Sequence, residues 1–300
     1  MAAKNKKIKR GDRKDAVLVR NLDSMHLFMP YNLPRRCDNE ALANITVETS
    51  AVNAYIEKRN AENPQFKYTL FHVITAAVFK TIYFRPLMNR FISGGRIYER
   101  RDISASFVAK NKLEDNAHEA LVIMAADRES ETGIVDQVHD YIVKKVYSIR
   151  HEGIQDSTSD QLDTLVKLPR PILKFVVHCL RRLEYYGKYP ASLMKDDPYY
   201  STVFISNLGS IKLNASYHHL AEWGTNSLFA IIGEKHLAPI PDADGKGFTP
   251  KEVVDISLTI DERIADGVYF GKSLNLMKYL LANPELLDRP ISEYPEGYKA

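Results

Sequence analysis

Three hundred residues with 45% apolar and 26% charged side chains describe a globular chain able to bury a large core. The formal charge of +3 is an average over unlike parts: residues 1–20 hold eight Lys/Arg and two Asp, while the other 280 hold 33 bases and 36 acids. The chain has no run of 18 uncharged apolar residues and no apolar leader core, and Cys37 and Cys179 lie far apart, which excludes a membrane-spanning helix and a disulfide framework and sets the expectation of a soluble, cytoplasmic protein.

Residues 1–20, MAAKNKKIKRGDRKDAVLVR, read as a basic, disordered tail. Such charge can meet an anionic surface, yet no nucleic-acid partner is expected. Residues 21–40, with Pro30, Pro34 and the pair Arg35-Arg36, read as a loop. A strand at Ile45–Val47 runs into a helix. YTLFHVITAAVFKTIYFRP then carries an apolar face at helical spacing (Leu70, Phe71, Ile74, Ala77, Val78, Ile82) and stops at Pro86. His72 on this helix reads as a packed or capping residue. GGRIYERRDISASFVAK predicts a Gly-Gly turn followed by strands at Arg96–Tyr98 and Ile103–Ala109, ALVIMAAD predicts another strand, and residues 131–150 a helix. Residues 151–168 are polar, a loop or short helix. RPILKFVVHCLRRLEYYGKYP is a helix with a broad apolar face and Lys174, Arg181, Arg182 and Lys188 elsewhere. Packing on its own domain or on a neighbouring subunit is the first expectation for it, and contact with a membrane surface or partner through 171–188 the second. YYSTVFISNLGS, SLFAIIGE and KEVVDISLTI are three strands, and a helix over Phe270–Leu281 closes the chain. No repeat or linker divides residues 21–300, so a single domain is expected, with an extra helical segment at about 158–200.

The sequence has no P-loop, no GxGxxG after a strand, no HExxH and no paired CxxC, so nucleotide and zinc chemistries find no support and no metal is expected. FISNLGS places Ser206 where a strand passes into a turn beside Gly209. A hydroxyl there can donate to a developing oxyanion or close the turn on a nearby backbone group. SLTIDERIADGVYF ends an apolar strand in Asp261, Glu262 and Arg263, followed by Asp266-Gly267. That pattern suits proton transfer and equally a salt-bridged turn. SYHHLAEWG adds His218 and His219, either surface residues or proton carriers, with Tyr217 and Trp223 as an apolar wall or as ordinary packing.

Taken together, these segments resemble the acyltransferase catalytic domain of 2-oxo acid dehydrogenase complexes and its relative, chloramphenicol acetyltransferase. TVFISNLGSI is similar to the family's F-T-I-S-N-L-G segment, ISLTIDERIADG to its strand ending in D-H-R-x-x-D-G, and YLLANPELL to its closing helix. YTLFHVITAAVFKTIYFRPLMNRFISGGRIYERRDISASFVAK resembles its helix, hairpin and strand, so the likeness covers roughly residues 20–290. It implies an α/β, chloramphenicol acetyltransferase-like fold: a mixed β-sheet flanked by helices, assembled as a homotrimer or multiple of trimers with the active site at the trimer interface. It also implies coenzyme A or acyl-CoA as substrate, a small-molecule acyl acceptor, and no lipoyl group on this chain. Carried over by motif, Ser206 takes the oxyanion role from a neighbouring subunit. Asp266 and Gly267 form the structural turn, the aspartate typically holding its loop through an arginine. The family's catalytic histidine falls on Glu262. The resemblance therefore implies CoA-dependent acyl transfer with a non-standard base, Glu262 or one of His218 and His219. The alternative is an inactive homologue that scaffolds, or binds acyl-CoA or a partner.

A thiol titrates near 8.5, against about 6.5 for histidine and about 4.3 for glutamate, so proton transfer is uphill by roughly 3 and 6 kcal/mol respectively. The difference is about two orders of magnitude in rate if that step limits. Burial at an interface narrows the gap for a glutamate, whereas a salt bridge from Glu262 to Arg35, Arg36 or Arg263 widens it.

Overall fold

The structure is a computed structural model that describes residues 8–110, 119–149, 165–242 and 244–299. In chain order the elements that frame the site are β1 (Ala16–Leu18), α1 (Ser24–Asn32), β2 (Glu40–Glu48), α2 (Ser50–Ala61), α3 (Leu70–Phe84), β3 (Arg90–Ser93), β4 (Arg96–Arg100), β5 (Ser104–Lys110), β6 (Glu119–Ala125) and α4 (Ile134–Tyr147). There follow α5 (Arg170–Tyr185), α6 (Ala191–Met194), β7 (Val203–Asn207), β8 (Leu228–Pro241), β9 (Phe248–Asp261) and α7 (Gly267–Ala282). Six strands form a mixed sheet in the order β2-β9-β8-β7-β5-β6, in which β7 is parallel to both β5 and β8 and the other pairs are antiparallel. A small antiparallel sheet, β1-β4-β3, stands beside it.

Period-two alternation decides which face is buried. Ile45 and Val47 of β2, Val203 and Ile205 of β7, Ala230 and Ile232 of β8, and Val254, Ile256, Leu258 and Ile260 of β9 join one core with residues of α2, α3, α4 and α7. α3 lies deepest, with every residue from His72 to Ile82 buried, and starts in a capping box between Thr69 and His72. The alternate residues Phe204, Phe229 and Ile231 face the other way and form a small second cluster with Leu220. On that outer face the side chains of Leu42, Asn44 and Thr46 are exposed. One side of the sheet is thus covered by helices; among the described residues the other carries the segment 212–224 and, over β5 and β7, the turn Pro198–Tyr200, where the buried Ser106 donates to the Pro198 carbonyl at 3.1 Å and Tyr199 meets Phe204.

Two expectations are corrected. Residues 21–40 are not all loop: α1 starts at the N-cap Asp23, whose carboxylate accepts from the His26 amide at 3.0 Å. Pro30 lies in its C-terminal half and forfeits a single helical bond. Residues 8–20 are not a free tail either. β1 pairs with β4, Ala16 is buried, and the buried Arg13 bonds Asp15 at 2.9 Å, Glu184 at 2.9 Å and Ser93 at 3.1 Å. Neutralisation by two carboxylates is what lets that arginine fold inward. β3, which precedes the Gly94-Gly95 turn, is an added strand; both glycines have positive φ, 58° and 69°. Residues 1–7 of the expected tail and 150–164 of the expected loop and helical segment lie outside the described residues. No described helix is long and apolar enough to cross a membrane.

Candidate active site

The strand β9 delivers Asp261 at its end, and the next three residues, Glu262–Ile264, make one turn of 3-10 helix. Asp261 is fully buried and accepts from Arg263 three times: from the backbone N–H at 3.2 Å, from Nε at 2.8 Å and from Nη2 at 2.7 Å. The buried Arg263 also donates Nη1 to the carbonyls of Leu33 at 2.9 Å and Pro34 at 3.1 Å. A second buried guanidinium, Arg36, approaches Asp261 to 3.8 Å and donates to the carbonyls of Ala221 and Gly224. Burial pulls the Arg36 pKa below its usual value, against the opposing pull of Asp261. One carboxylate and two guanidiniums therefore pin three distant segments together. The expected arginine partner of the loop falls on Asp261, not on Asp266. Asp266 instead N-caps α7, accepting from the Tyr269 amide at 2.7 Å.

Between the buried Asp261 and Arg263, the side chain of Glu262 projects into solvent. The anticipated salt bridges to arginine do not form: Arg35 pairs with Asp38 at 3.1 Å, and both Arg36 and Arg263 face Asp261. Among the described residues Glu262 has neither a hydrogen bond nor an ion pair. The result is a bare carboxylate on a loop whose two neighbours are locked.

Ser206 is half-buried on β7, on the outer face two residues after Phe204. The turn that follows is closed by Ser210, whose hydroxyl donates to the Asn207 carbonyl at 2.7 Å, so Ser206 is not needed for it. Gly209 permits this turn to lie against β8, because a Cβ there would stand 2.5 Å from the Gly233 carbonyl oxygen. Ser206 faces Ile231, which faces Ser257, five residues before Glu262. At about 3.3 Å per residue and about 4.8 Å between strands, Ser206 and Glu262 stand roughly 15–20 Å apart within one chain.

The segment 212–224 crosses between these two points. It leaves the Ser206 turn where Leu213 bonds Leu208 and Glu234, passes Leu220, whose amide donates to Glu40, and ends at the carbonyls held by Arg36. On the way His218 stacks on Phe229 at 4.3 Å and on His219 at 4.4 Å, both imidazoles exposed. Phe229 is stacked on Phe204 at 4.9 Å, so the histidines sit over the sheet between Ser206 and Glu262. Trp223 donates Nε1 to Asp197 at 2.7 Å, and Tyr217 is exposed. Beside the Asp261 loop lies a cleft of about 400 Å³ whose walls include Arg36, Arg181, Tyr185, Trp223 and Arg263. Sequence reading missed Arg181 as a neighbour of this loop, since nothing local ties it to a residue that far along the chain, and it set Arg36 against Glu262, whereas Arg36 faces Asp261. Among the described residues no cluster of three or more His, Cys, Asp or Glu side chains is placed to hold a metal ion.

A mixed sheet covered by helices on one face is the architecture of the chloramphenicol acetyltransferase-like acyltransferase cores, and the chain has that fold. A probable dihydrolipoamide acetyltransferase from Listeria monocytogenes superposes with a TM-score of 0.57 at 14% identity, covering 92% of this chain and 96% of its own. The cubic core of the pyruvate dehydrogenase multienzyme complex gives 0.55 at 13% identity, with 90% and 93% covered. A chloramphenicol acetyltransferase gives 0.55 at 12% identity, with 89% and 98% covered. No protein-family profile and no curated protein sequence matches the chain, so the likeness is one of fold.

Proposed function

We propose that this protein is a coenzyme A-dependent acyltransferase whose active site forms between two copies of the chain, Glu262 coming from one and Ser206 from the other. The carrying observation is the separation of these two groups within one chain, combined with the bare Glu262 carboxylate on its pinned loop. Two groups roughly 15 Å or more apart cannot serve one carbonyl, whereas a neighbouring copy laid against the open sheet face brings a second Ser206 to the pinned loop. The cubic assembly of one fold neighbour supports a trimer-based oligomer here. The reaction balances without a metal or redox partner. Glu262 accepts the proton of an acceptor thiol, and the thiolate sulfur bonds to the acyl-CoA carbonyl carbon. Ser206 Oγ–H donates to the oxyanion, and collapse breaks the carbon–sulfur bond to coenzyme A, whose thiolate takes the proton back from Glu262. A covering copy excludes water from Glu262 and so moves a carboxylate towards the basicity the step needs.

One observation favours a second, silent reading: no described side chain orients the Glu262 carboxylate, and a general base works through fixed geometry. Thiol release from a panel of acyl-CoA esters separates the two. Turnover is expected, falling about a hundredfold or more in Glu262→Gln and in Ser206→Ala while His219→Ala stays near wild type. Loss in His219→Ala with Glu262→Gln unaffected transfers the base to the histidines, and acyl-CoA binding without turnover supports the silent reading.

A further inference from the structure

We propose that α5, together with the basic segment around Arg13, docks onto the surface of an anionic lipid bilayer. A helix of a globular domain normally turns its apolar stripe inward, yet none of the 16 residues of α5 is buried. Ile172, Val176, Cys179 and Leu183 share one stripe by their spacing. Ile172 is 50% exposed, the flanking Phe175 67% and Leu183 37%. The helix is held from its other side. Glu184 bonds Arg13, Ser93 and Tyr200, and the Tyr185 carbonyl lies where a Cβ on Gly94 would meet it at 2.2 Å. The apolar stripe therefore faces away from the domain that anchors the helix.

Charge selects the occupant. Residues 165–183 contain Lys167, Arg170, Lys174, Arg181 and Arg182 and no acidic residue, and the first carboxylate after them, Glu184, is consumed by Arg13. That same ion pair sets the N-terminal segment at the end of α5. Residues 8–14 of this segment hold four bases, Lys9, Arg10, Arg13 and Lys14, against the single acid Asp12, which is itself bonded to Arg20 at 2.8 Å. An apolar stripe with Arg182 at its edge, on a helix that also bears Arg170 and Lys174 and beside a basic segment, matches the two signals that attach peripheral proteins to anionic membranes: acyl-chain contact for the stripe and headgroup attraction for the bases, whose long stems reach past the apolar face. Tyr185 and Tyr186, 52% and 59% exposed, add rings suited to the headgroup zone. Pairing of α5 with α5 of a second copy sets four bases, Arg170, Lys174, Arg181 and Arg182, against four, with the lone carboxylate Glu184 taken up by Arg13 in each, which disfavours that alternative.

Flotation of the full chain with vesicles of phosphatidylcholine alone, and of phosphatidylcholine with roughly one third phosphatidylglycerol, tests this. Binding is expected only to the anionic vesicles and falls as salt is raised. Phe175→Glu lowers partition about tenfold or more, Phe175→Leu retains it, and Arg182→Gln lowers it roughly fivefold. The exposure of these side chains predicts unchanged melting temperature and oligomer mass. The proposal is overturned by absence of flotation with anionic vesicles, by equal binding to both compositions, or by wild-type partition of Phe175→Glu. It is also overturned if Phe175→Glu reduces the oligomer mass in lipid-free buffer, which assigns the stripe to a second copy of the chain.

Discussion

Asp261 and Glu262 are adjacent carboxylates with opposite assignments, and replacing each in turn separates scaffold from chemistry. Asp261 is fully buried, with Arg263 2% and Arg36 5% exposed. Asp261→Ala deletes three accepted hydrogen bonds from Arg263 and leaves its guanidinium buried without the carboxylate it faces. Breaking a buried pair by removing one partner destabilises by about 3–5 kcal/mol. At roughly 2 °C per kcal/mol for a large domain, the melting temperature should fall by about 6–10 °C. Glu262 has no described partner and points into solvent, so Glu262→Gln should move stability by no more than about 0.5 kcal/mol. Turnover responds in the reverse sense: Glu262→Gln loses about two orders of magnitude with a native melting curve. Urea midpoints and thermal melts, read beside thiol release from acyl-CoA, measure both axes. The reasoning fails if Asp261→Ala stays within about 1 kcal/mol of wild type, or if Glu262→Gln unfolds as readily as Asp261→Ala.

Burial, reinforced by neighbouring His139, pushes His72 down from 6.5 to about 4. Between these values the unfolded chain binds the proton and the folded one does not, so stability should decline as pH falls from about 6.5 to 4, by roughly 3 kcal/mol. His72→Gln preserves a side chain able to reach the Thr69 amide and should flatten that urea-midpoint profile. Lys80, buried with its ammonium on the carbonyls of Leu286 at 2.7 Å and Pro290 at 3.2 Å, is pushed down from 10.5 to about 8 by burial. Stability should rise with pH from about 8 to 10.5, where only the unfolded chain holds that proton, and Lys80→Met should remove this rise. Gly209→Ala drives a Cβ to 2.5 Å from the Gly233 carbonyl oxygen, so a loss of about 1–3 kcal/mol in urea unfolding is expected, with reduced turnover as the Ser206 turn shifts.

The elements legible in the sequence are those whose pattern is local. Alternation in Val203–Asn207 and in Val253–Ile260 announces half-buried strands, and the apolar face from Leu70 to Ile82 announces α3. β1 and α1 were not legible because their stability is tertiary. Arg13 and Ala16 read as tail until Glu184 and β4 are brought to them, and Pro30 masks a helix that tolerates it near its end. At the candidate site the strand ends that carry Ser206 and Glu262 were legible, but their separation along the sheet depends on β8 lying between β7 and β9. The arginine expected on Asp266 belongs to Asp261, a distinction of five residues that only the folded turn can make.

The Asp261 network also bears on whether the loop is still used. Burying two guanidiniums around one carboxylate carries a desolvation penalty that well-packed apolar residues of similar volume avoid, often with a gain in stability. Stability alone therefore gives no reason to hold the segments 33–36, 221–224 and 261–263 together by charge. Fixed geometry does, because Arg36 and Arg263 specify carbonyl directions that apolar packing leaves free. What that geometry fixes is the backbone on either side of Glu262, so the cluster acts as a mount whose single unpartnered product is the exposed carboxylate. If the mount serves acyl transfer, Arg36→Met, which leaves the Arg263–Asp261 pair in place, should lower turnover of the folded protein, with Glu262 intact, by loosening its loop. A fully active Arg36→Met variant would detach the mount from the chemistry and leave it a purely structural brace.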